Sequence, residues 1–282
     1  MSDVWPFKSR TVCAQNDTMR SVIFTAVLTA IASPALAATC GGDFDTFIAA
    51  FSREAAAQRI SQHTLAAAFT DLTPDPQVIA LDRRQGVFRQ SFEQFALPRI
   101  NQRFAKAQRL MAQHAGLLAR IEQRFGVPGP ILIAIWGLET DFGVDIGRQP
   151  VIRAVATLAH DCRRSEKFQD ELMAALTIVE RGDLSVTGMR GAWAGELGQT
   201  QFLPSSYAKF AVDFDGDGRR DLIHSVPDVL ASTANYLKGY GWERAQPWDE
   251  GTHNFSVLKE WNKAEVYQKT IALFATRLAQ AR

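Results

Sequence analysis

The sequence predicts a mainly α-helical protein, and three observations support this fold class. Apolar residues recur at helical spacing along most of the chain, whereas the strict alternation typical of strands is nearly absent. The sequence contains no internal repeat and no low-complexity tract. After the first 37 residues, the chain is long enough for one large domain, or for a core with an attached helical subdomain.

Residues 1–37 are predicted to be a secretory signal peptide. Arg20 precedes an apolar stretch, 21–33, that is too short to span a bilayer, and an Ala-Leu-Ala cleavage site follows at 35–37. Met19 is a second possible start of translation, and a buried N-terminal helix is the alternative interpretation. We expect export to the periplasm, with no stable membrane insertion after cleavage.

Removal of this signal changes the charge and the cysteine content. The formal net charge falls from +1 to 0, because the segment carries three basic and two acidic residues, and this argues against nucleic acid as a partner. Cys40 and Cys162 remain, and an even pair in an exported protein predicts a disulfide worth about 4–5 kcal/mol at most. Two free buried thiols are the alternative. The residues before Cys40 match a lipid-modification motif poorly.

The order of the predicted helices follows from the periodic segments. They lie around an apolar stripe at 44–51, at 65–69, two or three within 88–125, and at 151–160, 165–180, 227–238 and 267–281. Proline and aspartate at 73–76 indicate a loop. Residues 183–222 are rich in Gly, Ser, Thr and aromatic residues, a composition typical of a loop-rich wall of a binding site.

The segment 131–143 places one carboxylate, Glu139, at the end of an apolar helix. Pro130 suits the first turn of that helix, and Ile135 and Trp136 lie one turn before Glu139. An apolar setting disfavours the charged form of a carboxyl group and raises its pKa, as a general acid near neutral pH requires. The alternative is a glutamate at a frayed helix end that faces water.

The segment 191–207 combines small residues with aromatic and amide side chains. Trp193 and Phe202 suit the apolar faces of sugar rings, and Gln199 and Gln201 offer donors and acceptors to hydroxyl and acetamido groups. An ordinary glycine-rich connection between helices is the alternative.

The segment 213–228 resembles an EF-hand loop. Asp213, Asp215 and Asp217 occupy positions 1, 3 and 5, Gly218 occupies the turn position, and Arg219 offers its carbonyl at position 7. Hard oxygen ligands in this pattern predict a structural Ca²⁺ or Na⁺ site.

The end of this loop departs from the standard pattern. Position 12 is His224 instead of Glu, so Asp228 is the expected closing carboxylate, and Asp221 is a direct, a water-mediated or an unused ligand. A solvated Asp-Gly turn is the alternative.

Taken together, ETDFG, GELGQTQFLPSSY, DFDGDGRRDL, PDVLASTANYL and WNKAEVY resemble the membrane-bound lytic murein transglycosylase B family, in the same order. The resemblance implies a lysozyme-like helical core and cleavage of the MurNAc–GlcNAc β-1,4 bond of peptidoglycan, leaving a 1,6-anhydromuramyl end. It assigns the catalytic acid/base to Glu139, glycan contacts to Gln201, Tyr236 and Tyr267, and the metal to the Asp213 loop. The catalytic domain would be 38–282, with no cofactor for catalysis.

The chain also departs from the family at individual positions. Ala192 stands where Ser is frequent, Glu196 and Leu197 replace Ala-Met, and Asp141 replaces an aromatic or aliphatic residue. A hydrolase that uses Asp141 or Glu196 as a second carboxylate, and a non-catalytic peptidoglycan-binding protein, are the alternatives. The sequence identifies no partner in cell-wall synthesis or in a secretion machinery.

Overall fold

The computed structural model describes residues 38–84 and 90–281, and helices account for most of these residues. In chain order the helices are α1 Phe44–Ala57, α2 Gln62–Phe69, α3 Pro76–Arg83, α4 Phe92–Gln113, α5 Ala115–Phe125, α6 Gly129–Thr140, α7 Val151–His160, α8 Ser165–Glu180, α9 Pro204–Phe210, α10 Val226–Gly239, α11 His253–Trp261 and α12 Glu265–Gln280. Two short antiparallel strands, β1 Gln149–Pro150 and β2 Arg190–Gly191, pair with each other. The prediction of a mainly α fold is confirmed.

Most of the predicted helices are present, and those that were missed are short. The predicted helices at 151–160 and 165–180 coincide with α7 and α8. α10 is one residue longer at each end than predicted, and α12 begins two residues earlier and ends one residue earlier than predicted. By contrast, α3, α9 and α11 were not predicted, because helices of seven to nine residues span few turns and these three show only a weak periodic pattern. The predicted signal peptide lies outside the described residues.

The centre of the fold is α6. All its residues from Gly129 to Gly137 are buried, because α4, α5, α10 and α12 pack around it. The helix ends at Thr140, where Asp141 and Phe142 take left-handed φ values of 52° and 60°. This reversal folds the Phe142 ring against Gly137, where an added Cβ would lie 2.7 Å from the ring. A tight backbone turn therefore fixes the end of α6.

A disulfide connects the N-terminal segment to the end of α7. Cys40 and Cys162 are bonded, with their Cα atoms 5.2 Å apart, so the predicted disulfide is confirmed. Beside it, the Gly41 N–H donates to the His160 carbonyl at 2.9 Å, and the Phe44 ring packs edge-on against the His160 ring. Through these contacts the segment around Cys40 and Gly41 is fixed to the end of α7.

Among the described helices, none combines the length and the apolar character that crossing a membrane requires.

We expect reduction of the disulfide to lower the melting temperature of the protein by on the order of 10 °C, because the closed loop is long. Alkylation without reductant should label neither cysteine, and Cys40→Ser should reproduce the effect of reduction. Free thiols in the unreduced protein would contradict this prediction.

Candidate active site

A cavity of about 400 Å³ lies at the end of α6. Its walls come from α6, from the segment between β2 and α9, from α9 itself, from α10 and from the end of α11. The lining residues are Glu139, Ala192, Trp193, Glu196, Gln201, Phe202, Leu203, Ser206, Tyr236, Glu260, Trp261 and Asn262. Elements far apart in the sequence therefore meet beside Glu139.

Glu139 lies in an environment that favours its protonated form. Burial raises the pKa of this carboxyl from its ordinary value of 4.5 to about 7. Two donors oppose this effect: the Trp261 indole N–H donates to Glu139 Oε1 at 2.8 Å, and the Tyr267 hydroxyl also donates to the carboxylate. The nearby Glu196 carboxylate raises the pKa further. The group can therefore give up or accept a proton near neutral pH.

Buried hydrogen bonds hold the helix end that carries Glu139. The Trp136 indole N–H donates to Gln199 Oε1 at 2.8 Å, and Gln199 Nε2 donates to the Ile223 carbonyl at 2.8 Å. The Thr140 hydroxyl donates to the Gln199 carbonyl. A Cβ at Gly143 would lie 2.4 Å from Gln199 Oε1, so only glycine fits there. Gln199 thus joins α6 to the neighbouring loop and is not part of the cavity wall.

The loop between β2 and α9 presents Gln201 to the cavity. Reciprocal backbone hydrogen bonds of 2.8 and 2.9 Å between Leu197 and Phe202 close a tight turn, in which Gln201 takes a left-handed φ of 55°. Gln201 Nε2 donates to the carbonyls of Ile146 and Gly198, at 3.2 and 3.0 Å. Both N–H donors are used in this way, which leaves the side-chain oxygen as the group that can accept from a ligand.

Aromatic rings form one side of the cavity. Phe202, Tyr236 and Trp261 meet edge to face in pairs, with centroid distances of 5.1–5.6 Å. The Tyr236 hydroxyl donates to the Glu260 carbonyl at 2.6 Å, which fixes the ring, and Trp193 adds a half-buried indole to the lining. These side chains offer apolar surface beside the carboxyl group.

The structure brings together most of the predicted site residues. Glu139, Trp193, Gln201, Phe202 and Tyr236 line the same cavity. By contrast, Tyr267 does not line it and contacts Glu139 from α12.

Sequence reasoning missed the roles of Trp261 and Asn262, which line the cavity next to Glu139. Both belong to the WNKAEVY segment that carried part of the family resemblance, so that segment contained the signal. The indole contact to Glu139 joins residues 122 positions apart, a separation at which sequence spacing carries no information.

The two candidate second carboxylates differ in position. Asp141 lies outside the cavity, with its oxygens 3.6 Å from both Arg103 Nε and Lys106 Nζ of α4. Glu196 lies in the cavity, and its Oε2 accepts the Ala194 N–H at 3.2 Å. Burial raises the pKa of Glu196 as well. Of these two residues, only Glu196 shares the cavity with Glu139.

The acidic loop before α10 gathers three carboxylates. Oxygen atoms of Asp213, Asp215 and Asp228 lie within 4.8 Å of one another. The buried Asp228 carboxylate also accepts the backbone N–H groups of Phe214 and Asp221, at 2.7 and 2.8 Å. An all-oxygen donor set of this kind fits a hard cation.

The other predicted metal-loop residues are not part of this three-carboxylate group. Asp217 accepts the Arg219 N–H at 2.8 Å, and both residues are exposed. Asp221 accepts the N–H groups of Ile223 and His224 at 2.9 Å, which closes a local turn.

Comparison with known proteins gives the class of this fold and site. The family model described as "Transglycosylase SLT domain" matches residues 43–251. The chain therefore belongs to this family, and the resemblance seen in the sequence is confirmed.

Individual relatives agree with this assignment. The chain is 40% identical over 131 residues to the "Membrane-bound lytic murein transglycosylase B" of Escherichia coli K12; the match covers 46% of this chain but only 36% of that relative. SltB3 of Pseudomonas aeruginosa, solved with NAG-anhNAM-pentapeptide, superimposes with a TM-score of 0.80 at 32% identity, covering 85% of this chain and 80% of that one.

A third relative, the Escherichia coli lytic transglycosylase Slt35 solved in complex with calcium, has a TM-score of 0.69 at 24% identity. The likeness covers 87% of this chain and 97% of that one, and it is a likeness of fold alone. These superpositions confirm the predicted lysozyme-like helical fold.

We expect Glu139→Gln to stabilise the protein above pH 7 but not below pH 4.5. Folding raises the pKa of Glu139 from 4.5 to about 7, so the folded state holds the proton more tightly than the unfolded state. This contribution to the free energy of unfolding is complete below pH 4.5 and is lost as the pH rises to about 7. Between these two pH values, the contribution of Glu139 to the free energy of unfolding changes by roughly 3 kcal/mol.

Denaturant unfolding of the wild type and the variant from pH 4 to pH 8 measures this difference. Glu166→Gln, which removes an exposed carboxylate, controls for the loss of one negative charge. A Glu139→Gln effect that does not change with pH would contradict the raised pKa.

Proposed function

We propose that this protein is a peptidoglycan lytic transglycosylase that cleaves the MurNAc–GlcNAc β-1,4 bond and leaves a 1,6-anhydromuramyl end. The observation that carries the proposal is the Glu139 carboxyl, with its pKa raised to about 7, beside the aromatic wall of the cavity. Membership of the transglycosylase family and the fold shared with SltB3 support it.

Glu139 supplies the proton transfers of this reaction. In its neutral form it protonates the oxygen of the scissile bond as the leaving sugar departs. The N-acetyl group of the muramyl residue stabilises the positive centre, and the 6-hydroxyl of the same sugar attacks it. Glu139, now ionised, accepts the proton of that hydroxyl and returns to its starting state. Bond cleavage balances without consuming water.

The other cavity residues hold the glycan. Phe202, Tyr236 and Trp193 provide faces and edges for the apolar sides of sugar rings. The Gln201 side-chain oxygen accepts from a hydroxyl or acetamido N–H group, because its nitrogen is already used. Tyr267 and Trp261 orient the Glu139 carboxyl by donating to it.

A muramidase of the hydrolase type is the second candidate, and the position of Glu196 in the cavity is the observation that favours it. A glycosidase with two carboxylates needs the second one ionised, as a nucleophile or base. Burial disfavours the ionised form of Glu196, which weighs against that role. Asp141 is bound to cations of α4 outside the cavity and is the weaker choice.

We expect Glu139→Gln to lower the release of muropeptides from purified sacculi by about 10²–10⁴-fold, because the variant keeps the shape of the side chain but has no transferable proton. Binding to sacculi should persist. Asp141→Asn and Glu196→Gln are matched controls and should lose much less activity.

Mass spectrometry of the products distinguishes the candidates. Anhydromuramyl ends support the transglycosylase, and reducing ends together with an inactive, folded Glu196→Gln variant would support the hydrolase. A wild-type protein that binds sacculi without cleaving any bond would support the non-catalytic alternative.

We expect Trp261→Phe to shift the alkaline limb of the pH–activity profile upward. The indole N–H stabilises the ionised carboxylate, so its removal raises the pKa of Glu139 and keeps the neutral acid present at higher pH. Tyr236→Phe is the matched control, because its hydroxyl bonds to the Glu260 carbonyl and not to Glu139. Equal shifts in the two variants would contradict this role of Trp261.

We further propose that Asp213, Asp215 and Asp228 hold a structural cation, Ca²⁺ or Na⁺. Three carboxylates this close together repel one another, and a hard cation removes that repulsion. The group lies outside the lining of the cavity, so the cation would hold the loop to the start of α10 and take no part in catalysis.

We expect Ca²⁺ at about 100-fold its Kd to raise the melting temperature by on the order of 5 °C relative to EDTA, because the ion binds the folded state. Asp213→Asn should abolish this difference, and Asp217→Asn should retain it if the three carboxylates form the site. Equal melting of the wild type with and without Ca²⁺ would mean that the loop is an ordinary turn.

We also propose that the protein acts in the periplasm on glycan strands of peptidoglycan, and the signal peptide predicted at 1–37 supports this location.

A further inference from the structure

The start of the mature chain lies in a second cavity, of about 850 Å³, formed with α1, α8 and α9. The Ala38 nitrogen is 3.4 Å from Glu54 Oε2 of α1, and the Ala38 carbonyl accepts from Gln169 Nε2 of α8 at 2.9 Å. Ala38 is only 4% exposed. Both backbone polar groups of this one residue are therefore bound by side chains of the folded domain.

The position of this residue coincides with the predicted cleavage site. The Ala-Leu-Ala motif ends at residue 37, so the nitrogen beside Glu54 is the one that cleavage would set free. An internal amide would make only an ordinary hydrogen bond to Glu54. An α-ammonium group at the same place forms an ion pair.

We propose that this cavity is the docking site of the mature N-terminus, with Glu54 as the counter-ion of the Ala38 α-ammonium group. Hydrolysis of the 37–38 peptide bond by a signal peptidase consumes one water molecule and leaves a carboxylate on residue 37 and an α-amino group on Ala38. That amino group takes up a proton and pairs with Glu54.

The surroundings of Ala38 suit a positive charge. Glu166 and Asp170 of α8 line the same cavity as Glu54. The one lysine in the lining, Lys209 of α9, has its ammonium group 4.8 Å from the centre of the Phe210 ring. Carboxylates thus outnumber cations in the lining of this cavity.

The disulfide makes this docking specific for one cleavage position. Cys40, two residues after Ala38, is bonded to Cys162, and the Gly41 N–H donates to the His160 carbonyl. Because only Thr39 lies between Ala38 and the disulfide, the Ala38 nitrogen is held close to the cavity at a high effective concentration. Cleavage at another bond would present either an amide or a shortened chain to Glu54.

The ion pair predicts a defined dependence on pH. A neighbouring carboxylate raises the pKa of the α-ammonium group above its unfolded value of about 7.7–8.0. The stabilisation is therefore complete below about pH 7.7 and is lost as the pH rises through the higher folded pKa. Glu54 of α1 contacts this nitrogen, and the other charged residues that line the cavity are Glu166 and Asp170 of α8 and Lys209 of α9.

The test uses full-length protein exported to the periplasm and purified from it. Intact mass should show a mature chain that begins at Ala38. Glu54→Gln should lower the melting temperature by about 2–4 °C at pH 6–7, and the difference should shrink toward pH 10. Asp170→Asn removes a carboxylate of the same cavity that makes no hydrogen bond to the Ala38 nitrogen, so its pH-dependent difference should be much smaller than that of Glu54→Gln.

Amine acylation at pH 7 gives a second measurement that does not depend on how the variant folds. The Ala38 amine of the wild type should react at least tenfold more slowly than that of a free peptide with the same first residues. An N-terminus at another residue, a lipid-modified Cys40, peptide-like acylation, or a Glu54→Gln effect that does not change with pH would each overturn the proposal. None of these measurements involves glycan cleavage, so they test the docking of the N-terminus independently of the proposed enzymatic function.

Discussion

The desolvation of Glu139 is the constraint on which the rest of the site depends. A carboxyl group at the end of an exposed helix would have a pKa near 4.5 and could not protonate a leaving sugar at neutral pH. Here the helix before it is buried on all sides, and partial removal of the carboxyl group from water raises its pKa to about 7. Burial of this carboxyl group lowers the free energy of unfolding at neutral pH.

Side chains around Glu139 reduce this loss of stability. Trp261 and Tyr267 donate to the carboxyl group and stabilise its ionised form, which the second half of the proposed reaction requires. Gln199 holds the end of α6 through two hydrogen bonds. Its side-chain oxygen accepts the Trp136 indole N–H, and its carbonyl oxygen accepts the Thr140 hydroxyl. The donors that tune the acid and the amide that holds its helix are therefore different residues, supplied by different elements.

The sequence predicted the parts of this arrangement that depend on local patterns. The buried helix before Glu139, the aromatic loop and the clustered aspartates each leave a signature within a few turns of chain. It did not predict that Trp261 would reach Glu139, or that Gln199 would serve the scaffold instead of the cavity. Those roles depend on packing between distant elements. Three short helices, α3, α9 and α11, were missed because contacts with neighbouring elements, more than their own periodicity, stabilise them.

Direct titration of Glu139 tests the central claim most directly. In protein labelled with ¹³C at the glutamate carboxyl groups, comparison with Glu139→Gln identifies the Glu139 resonance, and its chemical shift is followed from pH 4 to pH 9. The account predicts a midpoint near pH 7, well above that of an ordinary glutamate. A midpoint near 4.5 would contradict it, because the carboxyl group would then be ionised at neutral pH and unable to act as the acid.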